Sequence, residues 1–426
     1  MRNALAVLIL MVMTTADCNG EPLTLQAALT AAQNNSPIIV EADQRLEAAK
    51  AKTAVVQSAW WPQVNLVADW NKGRSFLTAL GSIKETEVGT TGLQLRHTLY
   101  DFGRTANVSA SQQATEKVFR ENSNLSRQDL ALRVHLAYWQ ALAVRSQFRV
   151  ASATESLRRQ LYEQALQFYQ QGLRPKVETL RAEANLHSAS ALVLKADTAV
   201  VLADLELARL MGQRDLGGKI PVMEPVVLQP LPALSQALET GLRQRKELAR
   251  SRYEHLAAEK STKAARSGHL PILAMAAGAG YADKYLPTDG EIWNIGIILT
   301  IPVFSGFGTS SQVREAQALQ RVAKARADEL QLQIAAEIEA AWRTVQEVDS
   351  RYQATAKAKE AADEQARLSL ERYRQGVGSM IEASDAQVQA YLAENENIIT
   401  DFERLTARAL FARALGESSL GAAGEE

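Results

Sequence analysis

The chain contains the same unit twice. Residues 99–104 read LYDFGR and residues 303–308 read VFSGFG, 204 positions later. The same distance separates YQQGL at 169–173 from YRQGV at 373–377, so nothing has been inserted or lost between these landmarks in either copy. Upstream, Pro62 matches Pro271 at a distance of 209, and we place the length difference in a loop between residues 62 and 99. The sequence must therefore fold as two equivalent units.

Each copy predicts one very long helix. Residues 105–171 and 309–375 contain neither proline nor glycine. Apolar side chains recur there at alternating spacings of four and three, as at Ile334, Ile338, Ala341, Val345, Val348 and Tyr352. This is the rhythm of a coiled coil, and each helix would extend about 100 Å. A plain amphipathic helix in a bundle is the alternative, but it explains two such runs in one register less easily.

The partner segments are shorter helices, at 37–59 and 176–211, which stacked end to end match one long helix in length. Glycine and proline then cluster between residues 212 and 232, a composition that breaks helices. We divide the chain into a signal peptide (1–20), a first repeat (21–216), a linker (217–232), a second repeat (233–416) and a flexible C-terminal tail (417–426).

The first residues predict export from the cytoplasm. Arg2 precedes an apolar stretch at 4–13 and small residues at 14–16, and the stretch is too short to span a bilayer. Cys18, the single cysteine, is either discarded with this peptide or lipidated as the first mature residue. A net charge of -1 argues against nucleic acid as a partner. No later segment has about 20 consecutive apolar residues, so any membrane insertion must use strands.

Short strands precede the long helices. Residues 294–303 and 93–99 alternate apolar and polar side chains, with His97 and Ile298 on the wrong faces. Segments 63–70 and 272–281 would pair with them to give two hairpins. Four strands of about ten residues suit a tilted membrane strand but cannot close a barrel, and lipid does not tolerate an open edge. Several chains must therefore contribute to one barrel.

Aromatic residues mark the predicted strand ends, where a membrane interface favours them. The candidates are Trp60, Trp61, Trp70, Tyr100, Phe102, Trp293 and Phe304. Burial in the core of a soluble β domain is the alternative, although such a domain would have little other sequence from which to build a core.

Taken together, these motifs resemble the TolC-like outer-membrane efflux protein family, from about residue 23 to residue 416. The most specific pieces are LYDFGR at 99–104 and RYRQGVGS at 372–379, followed by IEASDAQ at 381–387. The resemblance implies a mainly α protomer with a small β part, in an outer-membrane homotrimer with a 12-stranded β-barrel and a 12-helix periplasmic α-barrel. It also implies an exit duct that meets a periplasmic adaptor and an inner-membrane pump of the RND or ABC type.

The two helix turns are the candidate docking tips. Gly172 and Gly376 end the long helices where a positive φ is favoured, and Pro175 and Ser379 follow as restart signals. The resemblance implies that the adaptor meets Gly172, Leu173, Gly376, Val377, Gly378 and Ser379. It also implies a narrow pore entrance lined by acidic residues.

Glu382 and Asp385 match the acidic positions of that entrance, and their spacing of three places them on one helix face. Glu178 is the first-copy equivalent of Glu382, but Arg181 stands where the second copy has Asp385. Two solvated surface acids are the alternative interpretation.

Catalysis is not expected. The five histidines are scattered without metal-binding spacing, and no phosphate-binding loop is present, so we predict neither a cofactor nor an enzyme. A periplasmic coiled-coil adaptor or envelope scaffold without a pore is the alternative function. It accounts for the long helices but not for duplicated alternating strands with aromatic ends.

Overall fold

The computed structural model describes residues 22–77, 82–223, 228–285 and 287–417. The signal peptide, Cys18 and the tail beyond residue 417 lie outside these residues. In chain order the elements are β1 (Pro22–Leu23), α1 (Leu25–Asn35), α2 (Pro37–Gln57), β2 (Gln63–Leu77), β3 (Ser82–Tyr100), α3 (Arg104–Gln170), α4 (Lys176–Leu210), β4 (Ile220–Pro221), α5 (Leu234–Gln244), α6 (Lys246–Arg266), β5 (Ile272–Asp283), β6 (Gly290–Thr300), α7 (Gly308–Arg374) and α8 (Met380–Leu415).

Two helices of 67 residues, α3 and α7, run the length of the helical part of the protomer. Their bounds confirm the predicted helices to within one residue at each end. Each lies along two shorter helices, since α3 packs on α2 and α4, and α7 packs on α6 and α8. Helix α6 also packs on α3 and joins the two repeats. Among the described residues, no helix combines the length and apolar composition needed to cross a bilayer.

A buried tyrosine anchors the chain halfway along the layer of helices, which we call the rod. The Tyr138 hydroxyl lies 2.6 Å from the carbonyl oxygens of both Leu23 and Val222 and accepts a hydrogen bond from the Val222 amide at 3.2 Å. It thereby holds the short parallel pair of β1 and β4 against α3. The surrounding core combines α1, α3, the end of α4 and part of α8. Both the start of the described chain and the connection between the repeats are therefore anchored at mid-height.

The four longer strands form one antiparallel sheet in the order β2-β3-β5-β6. The predicted hairpins are β2-β3 and β5-β6, and they join through β3 and β5. The register places Leu66, Leu93 and Ile295 on one face and Asn65, Gln94 and Asn294 on the other. The alternating pattern is thus confirmed, as are its exceptions, because His97 pairs with Met275 on the apolar face and Ile298 with Ala274 on the polar face.

The first hairpin is longer than predicted. Strand β2 continues to Leu77 instead of ending near Trp70, so the prediction that Trp70 marks the end of its strand is wrong. Trp70 nevertheless pairs with Gly89, which pairs with Asp283 at the end of β5. The four-stranded part of the sheet therefore ends at the level of Trp70, and beyond it β2 and β3 continue as a two-stranded ribbon.

The repeats meet in the sheet at two glycines, Gly92 and Gly280, which pair across β3 and β5. A Cβ on Gly92 would lie 2.7 Å from the Ala279 carbonyl oxygen, and one on Gly280 would lie 2.5 Å from the Gly92 Cα. Real side chains do not make such contacts with backbone. The close crossing of the two hairpins therefore requires glycine at both positions.

We expect Gly280→Val to lower the stability of the sheet by about 3 kcal/mol, the upper end of the usual overpacking cost, because rigid backbone occupies the space its side chain needs. Gly296→Val is the matched control, since a Cβ on Gly296 meets nothing within 4 Å. Thermal unfolding in detergent, followed by circular dichroism, measures both. Equal midpoints for the two variants would contradict the close crossing.

Candidate functional site

Both long helices end in the same turn, at the end of the rod away from the sheet. After α3, the amides of Gly172 and Leu173 donate back to Tyr169 and Phe168 at 2.9 Å, and Gly172 has a φ of 72°. After α7, the amides of Gly376 and Val377 donate back to Tyr373 and Arg372 at 3.0 Å, and Gly376 has a φ of 79°. These are helix-ending turns with glycine in the left-handed position. The predicted positive φ at both glycines is confirmed.

The turns differ in how the next helix begins. Pro175 precedes α4 in extended conformation without a side-chain cap, whereas the Ser379 hydroxyl caps α8 by accepting from the Glu382 amide at 3.1 Å. Gly378 is buried, and a Cβ there would lie 2.9 Å from the Tyr373 nitrogen. The second turn therefore depends on a close backbone approach that the first turn, with Arg174 at the equivalent position, does not make.

Arg174 links the two tips. Its Nη2 donates to the carbonyl oxygens of Gly376 at 3.1 Å and Gly378 at 3.4 Å. Its Nη1 lies 3.7 Å from Glu178 Oε1, and its guanidinium stands 6.0 Å from the centre of the Tyr373 ring. The sequence alone did not indicate a contact between Arg174 and Tyr373. The available signal was the mismatch at equivalent positions, arginine in one copy and glycine in the other.

Beneath the turns lies a small shared core. Tyr373 is fully buried with Leu161, Ala165, Ala182, Met380 and Ala383. Burial raises the pKa of the Tyr373 phenol, and the Glu178 carboxylate raises it further, because a nearby negative charge disfavours the phenolate. Tyr373 is therefore neutral throughout the physiological pH range, and it packs the two tips together as an uncharged group.

Apolar side chains also project from the tips into solvent. Leu173 and Val377, the residues directly after the two glycines, are 64% and 69% exposed. In turns of this type that residue commonly packs back on its own helix. Val177 and Ile381, in the first turns of α4 and α8, are exposed as well. The predicted tip residues thus include two exposed apolar positions at the end of the protomer.

The predicted entrance acids are not brought together as one group. Glu382 and Asp385 lie on the exposed surface of α8, and Glu382 forms an ion pair of 3.2 Å with Arg372. That pair is worth at most about 1 kcal/mol at such an exposed position. Glu178 instead has a side chain only 17% exposed, beside Arg174 and Tyr373. Its carboxylate therefore faces the interior of the protomer, although its position matches that of Glu382.

The predicted interface aromatics fall into two rows. The first row lies where the strands meet the helices, and all its side chains are exposed; it consists of Trp60, Trp61, Tyr100, Phe102 and Phe304. Trp70 and Trp293 lie, together with Tyr281, near the other end of the four-stranded region. From Leu273 to Tyr281 the strand covers roughly 27 Å along its length, which suits the apolar band of a bilayer.

Two phenylalanines at the strand-to-helix junctions have a strained backbone. Phe102 and Phe307 have positive φ values of 53° and 65°, a conformation that costs a side-chain-bearing residue about 1–2 kcal/mol. Each ring packs edge-on against a neighbouring ring, Phe102 on Tyr100 and Phe307 on Phe304. At both junctions, therefore, a phenylalanine has a strained backbone and a pair of aromatic rings is exposed.

Comparison with known proteins identifies the fold. The model of the outer membrane efflux protein family matches residues 28–213 and 237–417, which together make up most of the chain. The chain belongs to this family. The membership confirms the outer-membrane localisation expected from the sequence. The match also falls into two parts, as the internal repeat does.

Two relatives and one solved structure illustrate the similarity. The alkaline protease secretion protein AprF of Pseudomonas aeruginosa is 28% identical over 70% of this chain and 64% of its own length. The outer membrane protein TolC of Vibrio cholerae is 23% identical over 67% of this chain and 66% of its own. The chain thus spans just under two thirds of each relative. The outer membrane protein VceC of Vibrio cholerae has the same fold, with a TM-score of 0.80 at 19% identity over 92% of this chain and 96% of its own.

We expect Arg174→Gln to loosen the second tip, because two backbone carbonyls lose their donor from the first. Hydrogen exchange of residues 376–382 should become at least several-fold faster, while the centres of α3 and α7 stay unchanged. Lys176→Gln is the matched control, since Lys176 makes no ion pair among the described residues. Equal exchange in both variants would show that Arg174 does not hold the tips together.

Proposed function

We propose that the chain is one protomer of a homotrimeric exit duct. The duct passively conducts substrates from a periplasmic adaptor and an inner-membrane pump of the RND or ABC type to the exterior. AprF is an alkaline protease secretion protein, so the proposal includes secreted proteins among the cargo. Family membership and the geometry of a single protomer support it.

The observation that carries the proposal concerns the two lateral edges of the protomer. The sheet and the layer of helices below it form one curved wall, and both are open along the same two edges. Strands β2 and β6 are the edges of the sheet, and among the residues that the structure describes each has a partner on one side only. In a membrane such edges must be paired, which two further copies of this chain would achieve with three sheets of four strands. The outer-membrane lipid would then face the apolar side of the sheet.

The helices are open along the same two sides. Helix α4 exposes Leu194, Val201, Leu202 and Leu205, and α7 exposes Leu319, Val322 and Leu332. Leu194, Val201 and Leu205 recur at spacings of seven and four and form a stripe along α4, and Leu319 and Val322 lie one turn apart on α7. Packing the α2 and α4 side of one copy against the α7 side of the next would extend the closed wall from the sheet to the tips.

The tips fit the role of a docking end. Leu173 and Val377 lie exposed at the lower extreme of the protomer, and three copies would place six such turns in a ring. An apolar side chain held at a turn by glycine is a well-defined contact for a partner. We assign Gly172, Leu173, Gly376, Val377, Gly378 and Ser379 to the adaptor contact on this basis.

We assign the entrance to Glu382 and Asp385, whose carboxylates would form a ring of six in a trimer. Crowded acids raise the local concentration of cations and offer polyvalent cations oxygen ligands. Glu178 is better placed as a partner of Arg174 and Tyr373 inside the protomer than as a lining residue. The entrance would therefore carry charge from the second copy of the repeat alone.

Single-channel recording in planar bilayers tests the duct and its entrance together. The purified protein should conduct ions with cation selectivity and be blocked by divalent cations. The double variant Glu382→Ala with Asp385→Ala should lose most of both properties and keep its conductance. As a control, Glu41→Ala with Glu47→Ala removes two exposed acids from α2, far from the tips, and should leave the channel unchanged.

A protein that never conducts would support the pore-free scaffold and refute the duct. Conducting channels whose double variant keeps the parent's selectivity and block would leave the duct standing. They would show instead that Glu382 and Asp385 are solvated surface acids.

We expect Gly376→Val to abolish export while leaving the protein assembled in the outer membrane. A Cβ at Gly376 meets nothing within 4 Å, so the whole effect arises from the positive φ, which valine adopts at a cost of about 1–2 kcal/mol. Gly376→Asn is the control, because asparagine tolerates this conformation. Export assays in cells that lack the parent protein compare the two, and full export by the valine variant would argue against docking at this turn.

A further inference from the structure

Four helix termini lie at the same height directly below the sheet, namely the ends of α2 and α6 and the starts of α3 and α7. The Ser267 hydroxyl donates to the Phe102 carbonyl oxygen at 3.2 Å, which joins the end of α6 to the start of α3. A Cβ on Gly268 would lie 3.0 Å from the Thr309 methyl group, so the end of α6 also adjoins the start of α7. Five residues separate the end of α2 from the start of β2, at the same border. The helical wall thus starts directly below the exposed aromatic rings of the strand-to-helix junctions.

Basic residues crowd the last three turns of α6. Residues 256–266 carry Lys260, Lys263 and Arg266 against one acid, Glu259, although the whole chain has a net charge of -1. Glu259 is paired with Lys263 at 2.7 Å. Lys260 and Arg266 form no ion pair of their own among the described residues. This stretch therefore has a net charge of +2 in each protomer, close to the sheet.

The neighbours of α6 indicate which way these side chains point. The Ala257 carbonyl accepts from Ser111 of α3, and the Thr262 hydroxyl donates to the Ala316 carbonyl of α7. Five residues separate the two contacts, so they stand about 140° apart around the helix. When helices form a closed ring, each helix touches two neighbours, and these contacts divide its circumference into a narrower and a wider arc. The narrower arc faces the axis of the ring. Lys260, Lys263 and Arg266 all fall on the wider arc, and they therefore face outward.

We propose that Lys260, Lys263 and Arg266 form a basic collar that binds the phosphate headgroups of anionic phospholipids in the periplasmic leaflet of the outer membrane. The inference rests on the proposed function for the insertion of the sheet in the bilayer. It adds a lipid partner, and a site for that partner, on the helical part of the protein.

The height of the collar favours phospholipid as the occupant. The aromatic rings directly above it, Trp60, Trp61, Tyr100, Phe102, Phe304 and Phe307, are exposed and suit the border between acyl chains and headgroups. Basic side chains one to three turns lower reach the plane of the phosphates. Each basic residue near an anionic membrane surface strengthens binding by roughly fivefold. In three copies, residues 256–266 would contribute a net charge of +6 around the duct.

Native mass spectrometry of the detergent-solubilised assembly tests the collar. The parent protein, titrated with phosphatidylglycerol or phosphatidylethanolamine, should retain at least fivefold more of the anionic lipid. Lys260→Gln with Lys263→Gln and Arg266→Gln should remove this preference. The matched control is Arg149→Gln with Lys195→Gln and Lys357→Gln, which removes three exposed bases from the middle and lower parts of the rods and should keep the preference.

The outcomes separate the collar from the duct. Assemblies that retain both lipids equally, or a collar variant that keeps the parent's preference, overturn the collar and leave the proposed function intact. A parent protein that is monomeric and binds neither lipid refutes the proposed function. Should the triple variant fail to assemble, the single variants Lys260→Gln and Arg266→Gln decide, since each is expected to lower phosphatidylglycerol retention several-fold.

Discussion

Backbone hydrogen bonding at the two edges of the sheet is the constraint on which the rest of the structure depends. In the described part of the chain, strands β2 and β6 each leave a row of peptide groups without partners, and in hydrocarbon every unpaired group costs several kcal/mol. Because the apolar face of the sheet favours the membrane, these edges must be paired there. One chain cannot pair them with each other, and this explains why the helices below also expose apolar side chains along the same two sides.

The fixed spacing of 204 residues follows from the same constraint. In the proposed trimer, the two repeats can belong to one ring of helices only if their helices have equal length and end at the same height. Both long helices have 67 residues, and both end in the same glycine turn. The length difference between the copies lies in the first hairpin, whose ribbon continues beyond the four-stranded region. A longer hairpin there changes neither the closure of the sheet nor the level of the tips.

The sequence predicted the features that depend on periodicity and on backbone chemistry. The long helices, the alternating strands and the glycine turns are of this kind, since side-chain spacing and glycine's access to positive φ are local properties. The length of β2 was missed because residues 71–77 do not continue the apolar alternation. The cross-tip contact of Arg174 and the inward position of Glu178 were missed for another reason. Both depend on which side chains of the two tips contact each other. Comparison of the two repeats predicts the same surroundings for equivalent positions, so it does not reveal this difference.

The number of chains in the membrane-inserted particle tests the central claim most directly. Native mass spectrometry of protein extracted in detergent, together with circular dichroism to verify its strands, measures this number without assuming any role for the tips. We predict three chains per particle, with the strand content of the folded protomer retained. A stable monomer with intact strands would contradict the account, since one sheet of four strands would then exist with both edges unpaired.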